Sequence, residues 1–481
     1  MNAAESKINP ALQDRKIESI VIDSREVRAG DVFFALSQPD YANNGFNGDF
    51  DDATVFVKSA FNQGAAVCVV RPDRYEEHSS ALQQFADRLI FVDDTIAALQ
   101  RLAHGVYTDW DKPVVAITGS AGKTTAKELT AHVLQSSGRN VLRNIKNYNN
   151  GLGHPLTVLK LANDSSYDVA VLEMGMSTPM NEIRRLCAIT PPDVAVELNV
   201  LPVHLEHLGS IENIAAAKAE LVEGMKEGGT AILNADDPLV LAMTPLSKGK
   251  TITFGIESDA DIRAENIQFE HFGEAAFDLV IAGSKAHVLF PLNGSHNISN
   301  ALAAAAVGYS FGMNADEIAA SLETAAAPLQ RGEVLNFREG FTVINDSYNS
   351  NPTALLSMVE TLIQGGSATS RKIVVAGEML ELGPEAQRIH SETGTSIAKI
   401  GIDILIGVRG MADRLVTGAK TAGLQNATFA LDSDAAGELL ANEIRPGDIV
   451  LIKGSRGVRT EKVVEKLLEK FKLEDNDSAT R

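Results

Sequence analysis

Cysteine is nearly missing from this chain: its 481 residues include only Cys68 and Cys187. Two thiols make no disulfide framework, so a reducing compartment is expected. Positive charge is also short. The 43 lysines and arginines are outnumbered by 63 aspartates and glutamates, which gives a formal charge of −20 and a pI near 5.0. General nucleic-acid binding needs a basic face and is therefore not expected. Any anionic ligand must be held by local features, not by the field of the whole molecule. No apolar run approaches the roughly 18 residues that a membrane-crossing helix needs, so no membrane span is expected. The opening stretch, MNAAESKINPALQDRK, has no apolar core, so no secretory leader is expected and a cytoplasmic protein is the default. Internal repeats and low-complexity tracts are absent too.

What is present is enough apolar material for a real core, 44% of residues. The length fits about three domains at roughly 150 residues each. Residues 1–108 mix short β-rich runs, such as SIVI (19–22) and AAVCVV (65–70), with helical stretches. TDWDKP (108–113) reads as a linker before the strand VVAIT (114–118). Buried-strand runs then alternate with helical ones: DVAVLE (168–173), DVAVEL (193–198) and a run at 229–233. That rhythm predicts βαβ units and a largely parallel sheet. Alternating apolar and polar residues over 259–292, around Gly273 and Gly283, predict antiparallel hairpins. A second α/β series starts near 329, with strands expected at 341–345, 372–377, 403–407, 427–431 and 448–453. The expected fold is α/β in three domains. A small α/β N-terminal domain (1–110) precedes a central P-loop ATPase domain with a parallel sheet (111–328). A C-terminal Rossmann-like, doubly wound domain (329–481) follows.

The segment TGSAGKTT (118–125) carries the chemistry. A phosphate loop places glycines where backbone N–H groups must face phosphate oxygens; a lysine reaches the β/γ-phosphates and a Ser/Thr hydroxyl meets Mg²⁺. Gly122, Lys123 and Thr124 supply that core. The common spacing wants a glycine at position 117, which is Ile117; Gly119 makes a tighter loop instead. An apolar strand precedes the loop and a helix, KTTAKELTAHVL, follows, so the helix dipole favours an anion there. The loop points to a nucleoside triphosphate without naming the reaction.

Further segments follow the loop in a fixed order. They are NYNNGLGHPLTVL (147–159), LEMGMSTPMNEI (172–183), HLEHLGSIENIAAAKAEL (204–221), LNADDP (233–238), SHNISNALAAAA (295–306), LQRGE (329–333), NDSYNSNP (345–352), GEMLELG (377–383) and LIKGSRG (451–457). Upstream stands IDSREVRAGDVFFAL (22–36). Together these resemble the Mur ligase superfamily over nearly the full chain, and within it the branch that adds D-alanyl-D-alanine. The resemblance implies an ATP-dependent ligase joining D-alanyl-D-alanine to UDP-N-acetylmuramoyl-tripeptide through an acyl phosphate, in cytoplasmic peptidoglycan precursor synthesis. It implies ATP and Mg²⁺ as cofactors and a monomer.

It also implies residue roles. Gly119, Ser120, Ala121, Gly122, Lys123, Thr124 and Thr125 bind ATP. Asn297 lies near the adenine, with His296 alongside, and Asn300 also binds ATP, unless one of the two asparagines caps the helix. Arg331 reaches the phosphates, and Asp346 and Tyr348 contact the nucleotide. Thr124, Glu173, His204 (rather than His207) and Lys218 form the metal set. Lys218 carries a carbamate made with CO₂, although composition alone reads it as an exposed helix lysine. Lys123, Lys218, His204 and Glu173 are the catalytic group. Ser24 and Arg25 contact the sugar nucleotide or form a surface turn. Asn149 and Asn150 position the acceptor carboxylate, and Asn349 and Asn351 form the dipeptide pocket. Lys453 and Arg456 meet substrate anions or line a solvated loop. The segment QPDYANNGFNGDF (38–50) departs from the family's DGHxF-like element.

Three rivals fit less well. The Mur branch that adds the third amino acid carries a DNPR element, which is not found here. Folylpolyglutamate synthase lacks a sugar-nucleotide domain. A P-loop switch or transport ATPase has no use for Lys218 as a carbamate.

Overall fold

A computed structural model describes residue 12 and residues 16–46, 50–145, 147–176, 181–202, 208–271, 274–292, 294–367 and 369–474. By internal contacts the chain forms two compact units. One comprises Met1–Ala116, Arg139–Ala195 and Glu220–Gly229; the other comprises Ile117–Gly138, Val196–Ala219 and Thr230–Arg481.

The chain opens with a four-stranded parallel sheet in simple order: β1 (Ile20–Val21), β2 (Val32–Phe34), β3 (Val67–Val70) and β4 (Leu89–Phe91). Phe33, Cys68, Val70, Phe61 and Leu82 pack its core, so Cys68 serves there as a small apolar side chain.

The next strands are β5 (Val114–Thr118), β6 (Val141–Arg143), β7 (Val169–Glu173), β8 (Val194–Glu197), β9 (Thr230–Asn234), β10 (Lys250–Gly255), β11 (Ile262–His271), β12 (Glu274–Ile281) and β13 (Ser284–Phe290). They form one sheet in the order β13-β12-β11-β10-β9-β8-β5-β7-β6. β5, β7 and β8 are buried at every residue, as strands covered on both faces must be. The foreseen hairpins are β11–β12 and β12–β13, both antiparallel. Ala282 and Gly283 join the second pair, both at positive φ (50° and 82°), the conformation of a two-residue hairpin turn. Gly273 lies outside the described residues.

The last sheet has the order β14-β15-β19-β16-β17-β18. Its strands are β14 (Glu333–Asn336), β15 (Thr342–Asp346), β16 (Lys372–Gly377), β17 (Ile404–Val408), β18 (Ala427–Ala430) and β19 (Ile449–Lys453). Alternate residues face opposite layers. Val374, Ala376 and Leu451 pack against Leu355, Leu362, Ile397 and Leu415; Ile373, Val375 and Val450 pack against Leu440, Val463 and Leu467. Helices therefore cover both faces, which is the doubly wound arrangement. Among the described residues no helix is long and apolar enough to cross a membrane.

Candidate functional site

The loop after β5 is held from below. Gly119 lies so close to Leu198 that a Cβ would come within 2.8 Å of the Leu198 Cβ. Gly122, at φ +82°, begins the helix Lys123–Ser136, and a Cβ there would stand 2.4 Å from Asn300 Oδ1. Only glycine fits both the space and the left-handed backbone. Asn199 clamps the loop. Its backbone oxygen accepts Ser120 N (2.9 Å), its Oδ1 accepts Ala121 N (2.8 Å), and its Nδ2 donates to Ala121 O (3.2 Å). Ser120 Oγ accepts Leu201 N (2.9 Å) and donates to Leu201 O (3.2 Å). The N–H groups of Ser120 and Ala121 are thus engaged by Asn199. The helix start at Lys123–Thr125 is the anion-facing end. Lys123 Nζ curls back to Gly119 O at 2.7 Å.

The clamp is itself anchored by the LNADDP segment. Asn234 Nδ2 donates to Leu198 O (2.8 Å) and Asp237 Oδ2 accepts Val200 N (2.7 Å), so the 198–201 turn is fixed from both sides.

Lys218 lies on the helix Ile211–Glu223 and is only 2% exposed, contrary to the surface position that composition favours. Burial, reinforced by the like charge of Lys123, pushes its ammonium down to about 7. Glu197, the last residue of β8, is 0% exposed and neither carboxyl oxygen has a hydrogen-bond partner. Burial pushes it up to about 8, against the pull of Lys218 and Lys123. Glu197 and Asn199 were not singled out from sequence. A signal for Glu197 existed: in DVAVEL, as in DVAVLE, an apolar strand run leads to a carboxylate.

Glu173 ends β7 and is buried; its Oε1 accepts Asn149 Nδ2 at 2.7 Å. Asn150 Oδ1 accepts Leu152 N and Gly153 N, so this side chain shapes the start of the next helix. Arg25 forms a bidentate pair with Asp23 on an exposed turn, beside Ser24. His204 and His207 lie outside the described residues. Among the described residues no three His, Cys, Asp or Glu side chains are grouped to hold a metal.

Asn297 and Asn300 are buried within the helix Ser295–Ser310, whose N-cap is Gly294 without a side-chain cap. Neither asparagine caps the helix; Asn300 underlies Gly122 instead. His296 Nδ1 lies 3.4 Å from Ser357 Oγ.

Arg331 stacks on the Tyr348 ring at 4.1 Å, and Arg456 approaches the same ring at 5.6 Å. Register partners Asp346 and Lys453, at the ends of β15 and β19, form a pair at 2.5 Å with little exposure. Lys453 also donates to Asn349 O. Asn349 Oδ1 accepts Ser350 N, and Asn351 caps the helix Pro352–Gly365 through Ala354 N. Arg331, Asp346, Tyr348, Lys453 and Arg456 thus gather at one set of strand ends, whereas the Asn349 and Asn351 side chains turn onto their own loop.

Fold and loop together define an α/β nucleotide-binding protein of the P-loop class. Comparison with known proteins narrows this. Residues 117–308 match the Mur ligase middle domain, and residues 330–456 match the Mur ligase glutamate ligase domain. A UDP-N-acetylmuramoyl-tripeptide–D-alanyl-D-alanine ligase of Bacillus subtilis is 32% identical over 465 residues, covering 96% of this chain and 95% of that protein. MurF from Acinetobacter baumannii superposes with a TM-score of 0.82 at 29% identity, covering 94% of both chains. MurF ligase from Thermotoga maritima, in complex with ADP, gives 0.80 at 28% identity, covering 95% of this chain and 99% of that one. The chain belongs to the Mur ligase family, in its UDP-N-acetylmuramoyl-tripeptide–D-alanyl-D-alanine ligase branch.

Proposed function

We propose that this chain joins D-alanyl-D-alanine to UDP-N-acetylmuramoyl-tripeptide, with cleavage of ATP to ADP and phosphate, in peptidoglycan precursor synthesis in the cytoplasm. The observation that carries this reading is near-full-length likeness to ligases of that name, in a chain whose strand–loop–helix holds Gly122, Lys123 and Thr124 and two glycines with no room for a Cβ.

The chemistry follows from the reactants. A carboxylate is a poor electrophile at neutral pH. Transfer of the ATP γ-phosphoryl to the terminal carboxylate of the tripeptide gives an acyl phosphate with a good leaving group. The amine of D-alanyl-D-alanine attacks its carbonyl carbon, a tetrahedral intermediate forms, and its collapse expels phosphate and leaves an amide. Lys123 and the N-terminus of its helix stabilise negative charge on the phosphates. The Thr124 hydroxyl and the Glu173 carboxylate are hard oxygen donors of the kind Mg²⁺ takes, and His204 is the imidazole of the set. Bound Mg²⁺ supplies charge neutralisation at the phosphates. Lys218 serves as its carbamate, an anion that a buried, readily deprotonated amine can form with CO₂. Arg331, Asp346 and Tyr348 contact ATP, Asn297 serves near the adenine, and Asn300 also belongs to the ATP site. Ser24 and Arg25 hold the sugar nucleotide, Asn149 and Asn150 the acceptor, and Asn349 and Asn351 the dipeptide. Three domains, at 1–110, 111–328 and 329–481, divide these tasks in a monomer.

The test is isotopic. With ¹⁸O in the acceptor carboxylate, one labelled oxygen must appear in the released phosphate for each amide formed. Unlabelled phosphate alongside amide product would rule out the acyl phosphate.

A further inference from the structure

A pocket of about 290 Å³, open to solvent on one side, lies within the first compact unit. Its walls are Asn44, Phe46, Gln100, Gly151, Glu182 and Arg185. Asn44 and Phe46 come from the segment 38–50 that departs from the family's element. Gln100 Nε2 donates to Gly151 O at 2.9 Å, and a Cβ on Gly151 would come within 3.0 Å of Phe46 Cζ, so one end is tightly walled. Glu182 and Arg185 stand three apart on the helix Glu182–Ile189 and share a face. Glu220 fixes the start of that helix: its Oε1 accepts Asn181 N (2.7 Å) and its Oε2 accepts Arg184 N (3.0 Å). Arg184 turns to Glu223 at 2.6 Å. Arg185 has no acidic partner among the described residues; it donates to Asn44 O at 2.8 Å. A guanidinium has five N–H donors, so most of this one is left for a ligand. Asn149 and Asn150 directly precede Gly151, and Asn149 holds Glu173 Oε1 at 2.7 Å. Two trans peptide units put the Asn149 and Gly151 Cα atoms no more than about 7.6 Å apart.

We propose that Arg185 is a specificity-determining residue: it pairs with a carboxylate at the far end of the tripeptide's third side chain, so that an acceptor ending in diaminopimelate is taken in preference to one ending in lysine. This rests on the ligase reading given above, which sets the acceptor carboxylate at Asn149 and Asn150. Both side chains run four C–C bonds from the α-carbon to the carbon bearing the far ammonium, about 5 Å when extended, which is the reach from those asparagines into the pocket. Diaminopimelate alone adds a carboxylate on that carbon. Glu182 suits the ammonium, which both carry, and so does not choose between them. The planar fork of Arg185 suits the carboxylate, which only one carries. Lysine would bring its ammonium toward the guanidinium with no anion between the two, so the same residue also repels the wrong acceptor. In a chain of net charge −20, a guanidinium without an acidic partner beside the acceptor-holding turn is the local feature that an anionic group needs.

The experiment measures amide formation by the full chain with ATP, Mg²⁺ and D-alanyl-D-alanine, using two UDP-N-acetylmuramoyl-tripeptides that end in diaminopimelate or in lysine. Wild type should favour the diaminopimelate acceptor in kcat/KM by at least about tenfold, the effect of a charge-assisted hydrogen bond. Arg185→Met should lower kcat/KM for that acceptor at least about tenfold, carried by KM, and leave the lysine acceptor within about threefold of wild type. Arg185→Lys keeps the charge without the fork and should fall between wild type and Arg185→Met. Arg185 is exposed, so these variants should melt with wild type. A merely structural role would lower both acceptors together, so equal losses in Arg185→Met would overturn the assignment. Equal or reversed use of the two acceptors by wild type would overturn it as well, while leaving the ligase reading intact. No product from either acceptor would sink the ligase reading and this inference with it.

Discussion

Asn199→Ala takes away two of the three hydrogen bonds by which Asn199 holds the phosphate loop: Ala121 N to Oδ1 and Nδ2 to Ala121 O. The backbone bond from Ser120 N to Asn199 O survives. Each lost bond is worth about 0.5–1.5 kcal/mol net, and an Ala121 N–H left without an acceptor adds to the cost, so about 2 kcal/mol is a fair sum. If that energy holds the loop in its nucleotide-ready shape, ATP affinity should fall about 30-fold, since 1.4 kcal/mol is a factor of ten. Calorimetry with a non-hydrolysable ATP analogue measures this directly. Steady-state kinetics should show the loss in KM for ATP, with kcat within about threefold of wild type, because the reacting groups are untouched. Asn199→Asp keeps the acceptor for Ala121 N and should fall between the two. Analogue affinity within about threefold of wild type for Asn199→Ala would show that the loop holds its shape without the clamp, and the reasoning would fail.

Gly122→Ala combines a left-handed backbone with a Cβ 2.4 Å from Asn300 Oδ1, so kcat/KM for ATP should drop at least about tenfold, measured by coupled ADP release. Lys218→Ala should be nearly inactive and partly rescued by short carboxylic acids; full unassisted activity in a phosphate-release assay would remove the carbamate role. Lys453→Met strips the buried partner from Asp346 and should cost about 3 kcal/mol in a denaturant melt, with Asp346→Asn in the same background recovering part of it. Glu197 is raised from 4.5 to about 8, so the folded state binds more protons than the unfolded one across that window and stability falls as pH rises through it. Lys218 is lowered from 10.5 to about 7 and acts with the opposite sign, but only above that value. Between pH 5 and 7 the Tm of Glu197→Leu relative to wild type should therefore rise with pH, as read by calorimetry.

The strands were legible because a parallel strand buried on both faces reads as an unbroken apolar run. DVAVLE at 168–173 became Val169–Glu173, and 448–453 became Ile449–Lys453. β14 was not foreseen: EVLN is a short, half-exposed edge strand with no such run. The phosphate loop was legible because its glycines, lysine and threonine are contiguous. Its clamp was not, since Asn199 meets Ala121 from 78 positions away, and no local pattern reports a contact made by packing two strand ends together. Glu197 was missed for a related reason. A carboxyl at a strand end is ordinary until its burial is known, and burial comes from the surrounding packing. The same holds for Lys218, whose alanine-rich helix looks like a surface helix in sequence alone. That Asn297 and Asn300 do not cap their helix became visible only from the position of Gly294 at the helix start.

The central claim is that ATP is cleaved so that a dipeptide can be joined to an activated carboxyl group. The most direct measurement is phosphate release by the full chain with ATP, Mg²⁺ and UDP-N-acetylmuramoyl-tripeptide, with and without D-alanyl-D-alanine, while the pentapeptide product is quantified by mass spectrometry. Sustained phosphate release that requires D-alanyl-D-alanine and matches pentapeptide one for one is the predicted result. Phosphate release that ignores the dipeptide, or product formed instead from UDP-N-acetylmuramoyl-dipeptide and a free amino acid, would contradict it.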